Sequence, residues 1–191
     1  MAKLYFRYGT VGSAKTLNLL AVAHNYRQQG KKVLLVKPEV DHRFGTNIIK
    51  TRAGLEAPAD YVRPLSGPMV LPDLTGAVCI LVDEVQFLSI HDIDVLHRCV
   101  HECPKIPVIC YGLRTDFRQR LFAAAAQLMA LADSIEEVKT TCNFCLQKAV
   151  FNLKLLDGKP TREGPCVELG CEDKYLPVCA ECYESQHNRE S

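Results

Sequence analysis

The chain has 191 residues, a net charge of +1 and an apolar share of 48%. That length fills one core and leaves room for a small appended subdomain, and the near-neutral charge speaks against the broad basic face that long nucleic acid requires. No apolar run reaches the roughly eighteen residues of a membrane span and the N-terminus lacks a signal-peptide pattern, so the expectation is a cytoplasmic protein with no membrane partner.

Taken in order, residues 3–8 form a short apolar and aromatic run, which suits a buried strand. It feeds Gly9-Thr10-Val11-Gly12-Ser13-Ala14-Lys15-Thr16, a stretch with the character of a phosphate-binding loop. Backbone N–H groups turned inward by such a loop, together with a helix N-terminus, cradle nucleotide phosphates. Lys15 adds a point charge for the outer phosphates, and the Thr16 hydroxyl suits Mg²⁺. Ala14 stands where a second glycine is usual; if that position needs a positive φ, its Cβ costs about 1–2 kcal/mol.

Residues 15–29 carry apolar positions at helical spacing and Gly30 stops them, after which the run KKVLLVK, closed by Pro38, reads as the second strand of a strand-helix-strand unit. Residues 39–60 show no sustained period and read as a long loop, with a further short strand at 61–64. AVCILV at 77–82 is the most apolar run and ends abruptly in Asp83-Glu84. It is expected as a central strand, next to the phosphate-loop strand, presenting two carboxylates where open α/β sheets bind ligands. On strand alternation the two side chains point apart: Asp83 orders Mg²⁺, and Glu84 is left free as a general base.

Ser89 is the expected N-cap of a second helix whose buried face carries Ile90, Ile93, Leu96 and Val100. IPVICY at 106–111 is another core strand, residues 121–131 are strongly helical, and 134–138 suit a last strand. From about residue 140 the composition shifts toward cysteine and glycine, which sets a boundary between residues 1–139 and a subdomain at 140–183; residues 184–191 read as a frayed polar tail. In the subdomain, Cys142-x-x-Cys145 and Cys179-x-x-Cys182 offer four thiolates for one closed tetrahedral ion, the pattern of a structural Zn²⁺ site. The segment between the two pairs is then a loop or hairpin held at its base by metal.

With these motifs in view, the chain resembles the type II thymidine kinase family. The likeness rests on GTVGSAKT at 9–16, VDEVQF at 82–87, GLRTDF at 112–117 and DKYLPVCAEC at 173–182. The resemblance implies a RecA-like phosphate-loop α/β domain with a mostly parallel sheet, plus a small zinc-binding β subdomain with a lasso-type loop. It also implies transfer of the ATP γ-phosphoryl group to the 5′-hydroxyl of thymidine or deoxyuridine in a homotetramer, with Mg²⁺ and structural Zn²⁺. By residue, it assigns proton acceptance to Glu84, and ATP and Mg²⁺ contacts to Gly9 through Thr16, Asp41, Arg43, Asp83 and Gln86. The base pocket maps to Val11, Phe87, Leu113, Phe117 and Phe122. A covering loop of Cys166, Val167, Glu168, Leu169 and Gly170, with Tyr175, closes over the pyrimidine. The chain departs from the family's usual pattern at Ala14, at Val11 and at Asn152, where the family commonly has Gly, Met and Thr. The rivals are a phosphate-loop ATPase whose zinc ribbon binds nucleic acid, and a catalytically idle nucleotide-binding scaffold.

Overall fold

The structure is a computed structural model that describes residues 1–165 and 174–188. Six short strands form a parallel sheet: β1 (Leu4–Tyr8), β2 (Lys32–Pro38), β5 (Tyr61–Arg63), β6 (Ala77–Val82), β7 (Val108–Gly112) and β8 (Ser134–Glu137), in the order β5-β2-β6-β7-β1-β8. The inner strands β2, β6 and β7 are apolar on both faces because each face is covered. Side chains alternate across a strand, so neighbours along it enter different cores. Leu34, Val36, Ile80, Val82, Val108 and Cys110 face one core, which is filled from α2 (Ile90–His101) and α3 (Ala123–Leu131). Val33, Leu35, Cys79, Leu81, Ile109 and Tyr111 face the other, covered by Leu19, Leu20 and Ala23 of α1 (Lys15–Gln28).

Ser89 begins α2 as the sequence suggests, and Ile93, Leu96 and Val100 are buried, but Ile90, expected on the same face, is 45% exposed in the first turn. The Ser89 side chain accepts from the Asp92 amide at 3.2 Å while Asp92 accepts from the Ser89 amide at 2.9 Å, a reciprocal capping box. Asp92 also accepts from Arg63 Nη2 at 3.2 Å, which ties the edge strand β5 to the same helix start.

Three expectations change. The carboxylate-bearing strand β6 does not lie beside β1, because β7 is inserted between them and pairs with both. Apolar content marks a strand as central but says nothing of its order in the sheet. Second, residues 39–60 are not all loop. They contain β3 (Ile48–Lys50) and β4 (Glu56–Pro58), paired antiparallel, whose three-residue strands are too short to show a period. Third, residues 184–188 of the expected polar tail belong to α4 (Ala180–Asn188). That helix is held by Tyr183, 1% exposed, whose hydroxyl donates to the Phe117 carbonyl at 2.6 Å, and by a 2.9 Å pair between Arg162 and Glu184.

The smaller antiparallel sheet has the order β10-β9-β11, from β9 (Phe151–Leu156), β10 (Lys159–Thr161) and β11 (Tyr175–Val178). It packs with α4 around Leu153, Val178, Cys179 and Tyr183.

Candidate active site and metal knuckle

β1 delivers the chain to residues 9–16, and the loop is closed on itself. Lys15 Nζ donates to the carbonyls of Gly9 at 3.1 Å and Thr10 at 2.7 Å, and to Ser13 Oγ at 3.3 Å. Gly9 is required by close approach: a Cβ there would sit 2.4 Å from both Ser13 Oγ and the Val138 carbonyl oxygen. Gly12 has φ 71°, and Ala14, at the start of α1, has φ 63° and ψ 25°. The position that departs from glycine is therefore one that needs the left-handed region. Val11 N–H does not point into the loop; it donates to Asn152 Oδ1 at 2.9 Å, which fastens the phosphate loop to β9.

Although β7 separates β1 from β6, the start of α1 spans the gap. Thr16 Oγ1 donates to Asp83 Oδ2 at 3.0 Å, which places a hydroxyl and a carboxylate together as a divalent cation would need them. Burial, and next the charge of Glu84, push the Asp83 carboxyl well above the usual carboxylate range. A bound cation reverses that balance by favouring the ionised form.

Glu84 diverges from Asp83 for a reason other than strand alternation. β6 ends at Val82, and Glu84 has φ 49° and ψ 40°, so a left-handed turn sends its side chain away. Nor is the carboxylate free. Its Oε1 receives Arg43 Nη2 at 2.5 Å and its Oε2 receives Gln86 Nε2 at 2.5 Å. Arg43 in turn donates through Nε to Asp41 at 2.5 Å, and Asp41 lies 3.4 Å from the Lys37 ammonium. Burial raises the Asp41 carboxyl, but the hydrogen bond and charge of Arg43, then those of Lys37, outweigh it and hold it below its ordinary 3.8.

One cavity of about 290 Å³ joins these groups. Val11 to Thr16, Arg43, Glu84 and Gln86 line it together with Phe87, Leu113, Phe117, Phe122 and Tyr175. The rings pack on one another: Phe87 meets Phe122 edge-on at 6.3 Å, and Phe117 lies 6.2 Å from Tyr175. Asp41 and Asp83 are buried behind the wall, and Gly9 and Thr10 act through carbonyls that hold Lys15. Cys166, Val167, Glu168, Leu169 and Gly170, expected as a covering loop, lie outside the described residues.

Sequence reasoning missed two groups and undervalued a third. Lys37 is wholly buried and donates to the carbonyls of Ile48 at 2.9 Å and Gly45 at 3.3 Å as well as facing Asp41. It passed as the polar end of a strand, although its place between apolar residues and Pro38, four residues before Asp41, was a usable signal. Lys154, 2% exposed, has its ammonium 4.8 Å from the Phe117 ring centroid. Asn152, noted only as a departure from a pattern, joins β9 to the Val11 amide of the phosphate loop and to the Thr115 carbonyl.

The four predicted cysteines come together. The ligand atoms of Cys142, Cys145, Cys179 and Cys182 all lie within 4.8 Å of one another, with Cys145 and Cys179 sulfurs 3.7 Å apart. A tetrahedral ion with metal–sulfur bonds of about 2.3 Å requires sulfurs about 3.8 Å apart, so the knuckle fits a metal ion. Burial raises the Cys142 thiol, but backbone N–H groups around it pull it down to about 6. Cys145 goes up despite a backbone bond from Gln147, and Cys182 goes up through its hydrogen bond with Cys179. Four thiols so close do not ionise together without a cation to share. Cys79 and Cys110 are buried in strands, with the Cys79 thiol pushed up to about 12 by burial, and are inert packing groups.

A lysine and a hydroxyl at a helix N-terminus, facing a carboxylate, suit nucleotide phosphates, and the same cavity continues into an aromatic pocket whose rings suit a flat molecule. The fold and site define a phosphate-loop phosphotransferase. A sequence profile described as thymidine kinase matches residues 2–183. Among similar proteins, a thymidine kinase of Lactiplantibacillus plantarum is 42% identical over 185 residues, covering 96% of each chain. Thymidine kinases of Lactococcus lactis, 40% identical over 193 residues (96% of this chain, 97% of the relative), and Streptococcus gordonii, 41% identical over 187 residues (96% of each), are comparably close. The chain belongs to the thymidine kinase family.

Proposed function

We propose that this protein is a salvage kinase that transfers the γ-phosphoryl group of ATP to the 5′-hydroxyl of thymidine, with deoxyuridine as the related acceptor. The observation that carries this reading is the place of Glu84. Its carboxylate lines the same cavity as the phosphate loop and the aromatic pocket, so a hydroxyl held by the pocket and a phosphate held by the loop both come within its reach. The rival that acts on nucleic acid is not favoured, given the family and the near-neutral charge.

In this reading the N–H groups at the start of α1 and the Lys15 ammonium hold the phosphates, and Thr16 and Asp83 hold Mg²⁺. The metal supplies neutralisation of charge on the phosphate oxygens. Arg43, held by Asp41, stabilises charge on the transferring group, and Glu84 accepts the proton of the attacking hydroxyl. Phe87, Leu113, Phe117, Phe122 and Tyr175 orient the pyrimidine in line. Alignment of two bound reactants is the larger part of what such a site contributes. The four cysteines would hold Zn²⁺ as a structural ion, since four thiolates leave no open position. No described helix is long and apolar enough to cross a membrane. A cytoplasmic homotetramer completes the reading, and light scattering on the purified chain tests the assembly.

The test is transfer of radiolabel from γ-labelled ATP across the natural nucleosides, with wild type and Glu84→Gln. Labelled thymidine monophosphate is expected from the wild type, and the variant should bind ATP normally while turnover falls about 10²–10⁴-fold. Near-normal turnover in Glu84→Gln, or ATP hydrolysis stimulated by nucleic acid and indifferent to thymidine, would refute the reading.

A further inference from the structure

Gln86 was expected among the nucleotide contacts, but the geometry points to another task. We propose that Gln86 is a positioning residue that fixes the Glu84 carboxylate against the wall of the acceptor pocket. This rests on the reading of Glu84 as proton acceptor.

Gln86 is 4% exposed and sits in the short 3-10 turn Val85–Phe87 that follows Glu84. Both ends of its amide are engaged. Nε2 donates to Glu84 Oε2 at 2.5 Å, and Oε1 accepts from the Leu113 amide at 2.9 Å, at the end of β7. One buried side chain thus joins the carboxylate to the backbone of a residue that lines the aromatic pocket.

A second observation is independent of these bonds. Gly112 lies directly against Gln86: a Cβ built there would be 2.4 Å from Gln86 Oε1 and 2.8 Å from Val85 Cγ1. Gly112 is not among the residues with a positive φ. Close approach, rather than backbone conformation, therefore requires glycine at this position.

The need for such a brace follows from Arg43, which holds the other oxygen of Glu84 at 2.5 Å. A guanidinium prefers to engage a carboxylate with two parallel N–H groups. Left to that preference, Glu84 rotates until both oxygens face Arg43, where neither is presented to an acceptor hydroxyl. By occupying Oε2 while Arg43 holds Oε1, Gln86 keeps the pair single-pronged. A displacement of about 1 Å at a reacting group can cost about a hundredfold in rate.

The experiment uses the full chain as Gln86→Met, Gln86→Glu, Gly112→Ala and the double variant Gln86→Met/Gly112→Ala. Wild type and Glu84→Gln are measured beside them for kcat, KM for thymidine and Kd for Mg·ATP. Gln86→Met loses both bonds, so kcat is expected to fall about 10–100-fold and thymidine KM to rise, with Kd for ATP unchanged. Gln86→Glu still accepts from the Leu113 amide but sets a carboxylate against Glu84, so kcat falls while thymidine KM stays near wild type. Its near-identical shape keeps the test valid if the methionine variant fails to fold. Gly112→Ala reproduces the kcat loss by displacing the Gln86 amide, and in the double variant the two losses do not add.

The proposal is overturned if both Gln86 variants retain wild-type kcat, if Kd for ATP weakens as far as kcat falls, or if the effects of Gln86→Met and Gly112→Ala add in full. Failure of the underlying reading looks different: turnover survives in Glu84→Gln. An inactive Glu84→Gln beside fully active Gln86 variants sinks this proposal alone.

Discussion

Replacing Ala14 with glycine tests whether the strain in the phosphate loop belongs to the loop itself. Ala14 sits at φ 63° and ψ 25°, and its side chain makes no capping bond. An L-residue in this region carries about 1–2 kcal/mol that glycine does not. Against this, glycine gives the unfolded chain extra freedom, worth about 0.4–1 kcal/mol in the other direction. The net gain is about 0.5–1 kcal/mol, and for a chain of this length each kcal/mol moves Tm by about 2–4 °C. Ala14→Gly should therefore melt a few degrees higher in circular dichroism without nucleotide. Nucleotide affinity should hardly change. The loop's shape is set by the Lys15 bonds to Gly9, Thr10 and Ser13, together with the Val11 bond to Asn152, and none of these involves the Ala14 side chain. Isothermal titration with Mg·ATP checks this directly. An unchanged Tm combined with binding tightened by the full strain, about 5–30-fold, would mean that the strain arises only when nucleotide binds, and would refute the reasoning.

Two further outcomes follow from the metal knuckle and the buried charges. Cys179 lies between β11 and α4, so Cys179→Ser, or a strong chelator acting on the wild type, should melt the small sheet and α4 first and expose the knuckle thiols to titration, three in the variant and four in the wild type; retention of the far-ultraviolet signal with all of these thiols reactive would count against metal as their support. Asp41 has a folded-state pKa below its ordinary 3.8, so its contribution to stability is complete above that value and is lost as pH falls through the lower one. Lys37→Met removes part of the charge that lowers it, so the loss of stability below pH 4 should be shallower in urea titrations. The same change should cost about 1.5–3 kcal/mol at neutral pH, and identical acid slopes in the two proteins would show that Arg43 alone governs Asp41.

What the sequence made legible follows from the range over which each signal acts. The strands of the large sheet are legible because a strand buried on both faces must be apolar throughout, as Val33 to Val36 and Cys79 to Val82 are. The start of α2 is legible because Ser89 and Asp92 act within a single turn. The order of strands is not, because nothing local in β7 says that it lies between β1 and β6. Short-range signals also mislead when another part of the chain supplies the partner. Residues 184–188 look like a solvated tail until Tyr183 finds Phe117 and Arg162 finds Glu184. The four cysteines are the opposite case: their spacing encodes a convergence because metal chemistry demands it, and the hairpin that such a convergence allows between the pairs is present as β9 and β10.

The functional residues carry a different signature, which is departure from the pattern of the element they interrupt. Lys37 breaks an apolar strand, Gly112 ends β7 without needing a positive φ, and Asp83-Glu84 stops the most apolar run in the chain. Among the described non-glycine residues with positive φ, Ala14 and Glu84 belong to this site, one at each of the two turns that bring groups to the cavity. Backbone in that region persists only where its surroundings hold it. At Ala14 the holding groups are the closed phosphate loop and the first turn of α1, where the Asn18 amide donates to the Ala14 carbonyl at 3.0 Å. At Glu84 they are Arg43 and Gln86, one on each oxygen. The adjacent carboxylates can therefore serve different partners because a strained turn separates them, Asp83 turned to the Thr16 hydroxyl and Glu84 to the cavity. Strand alternation alone would have parted their directions without fixing either.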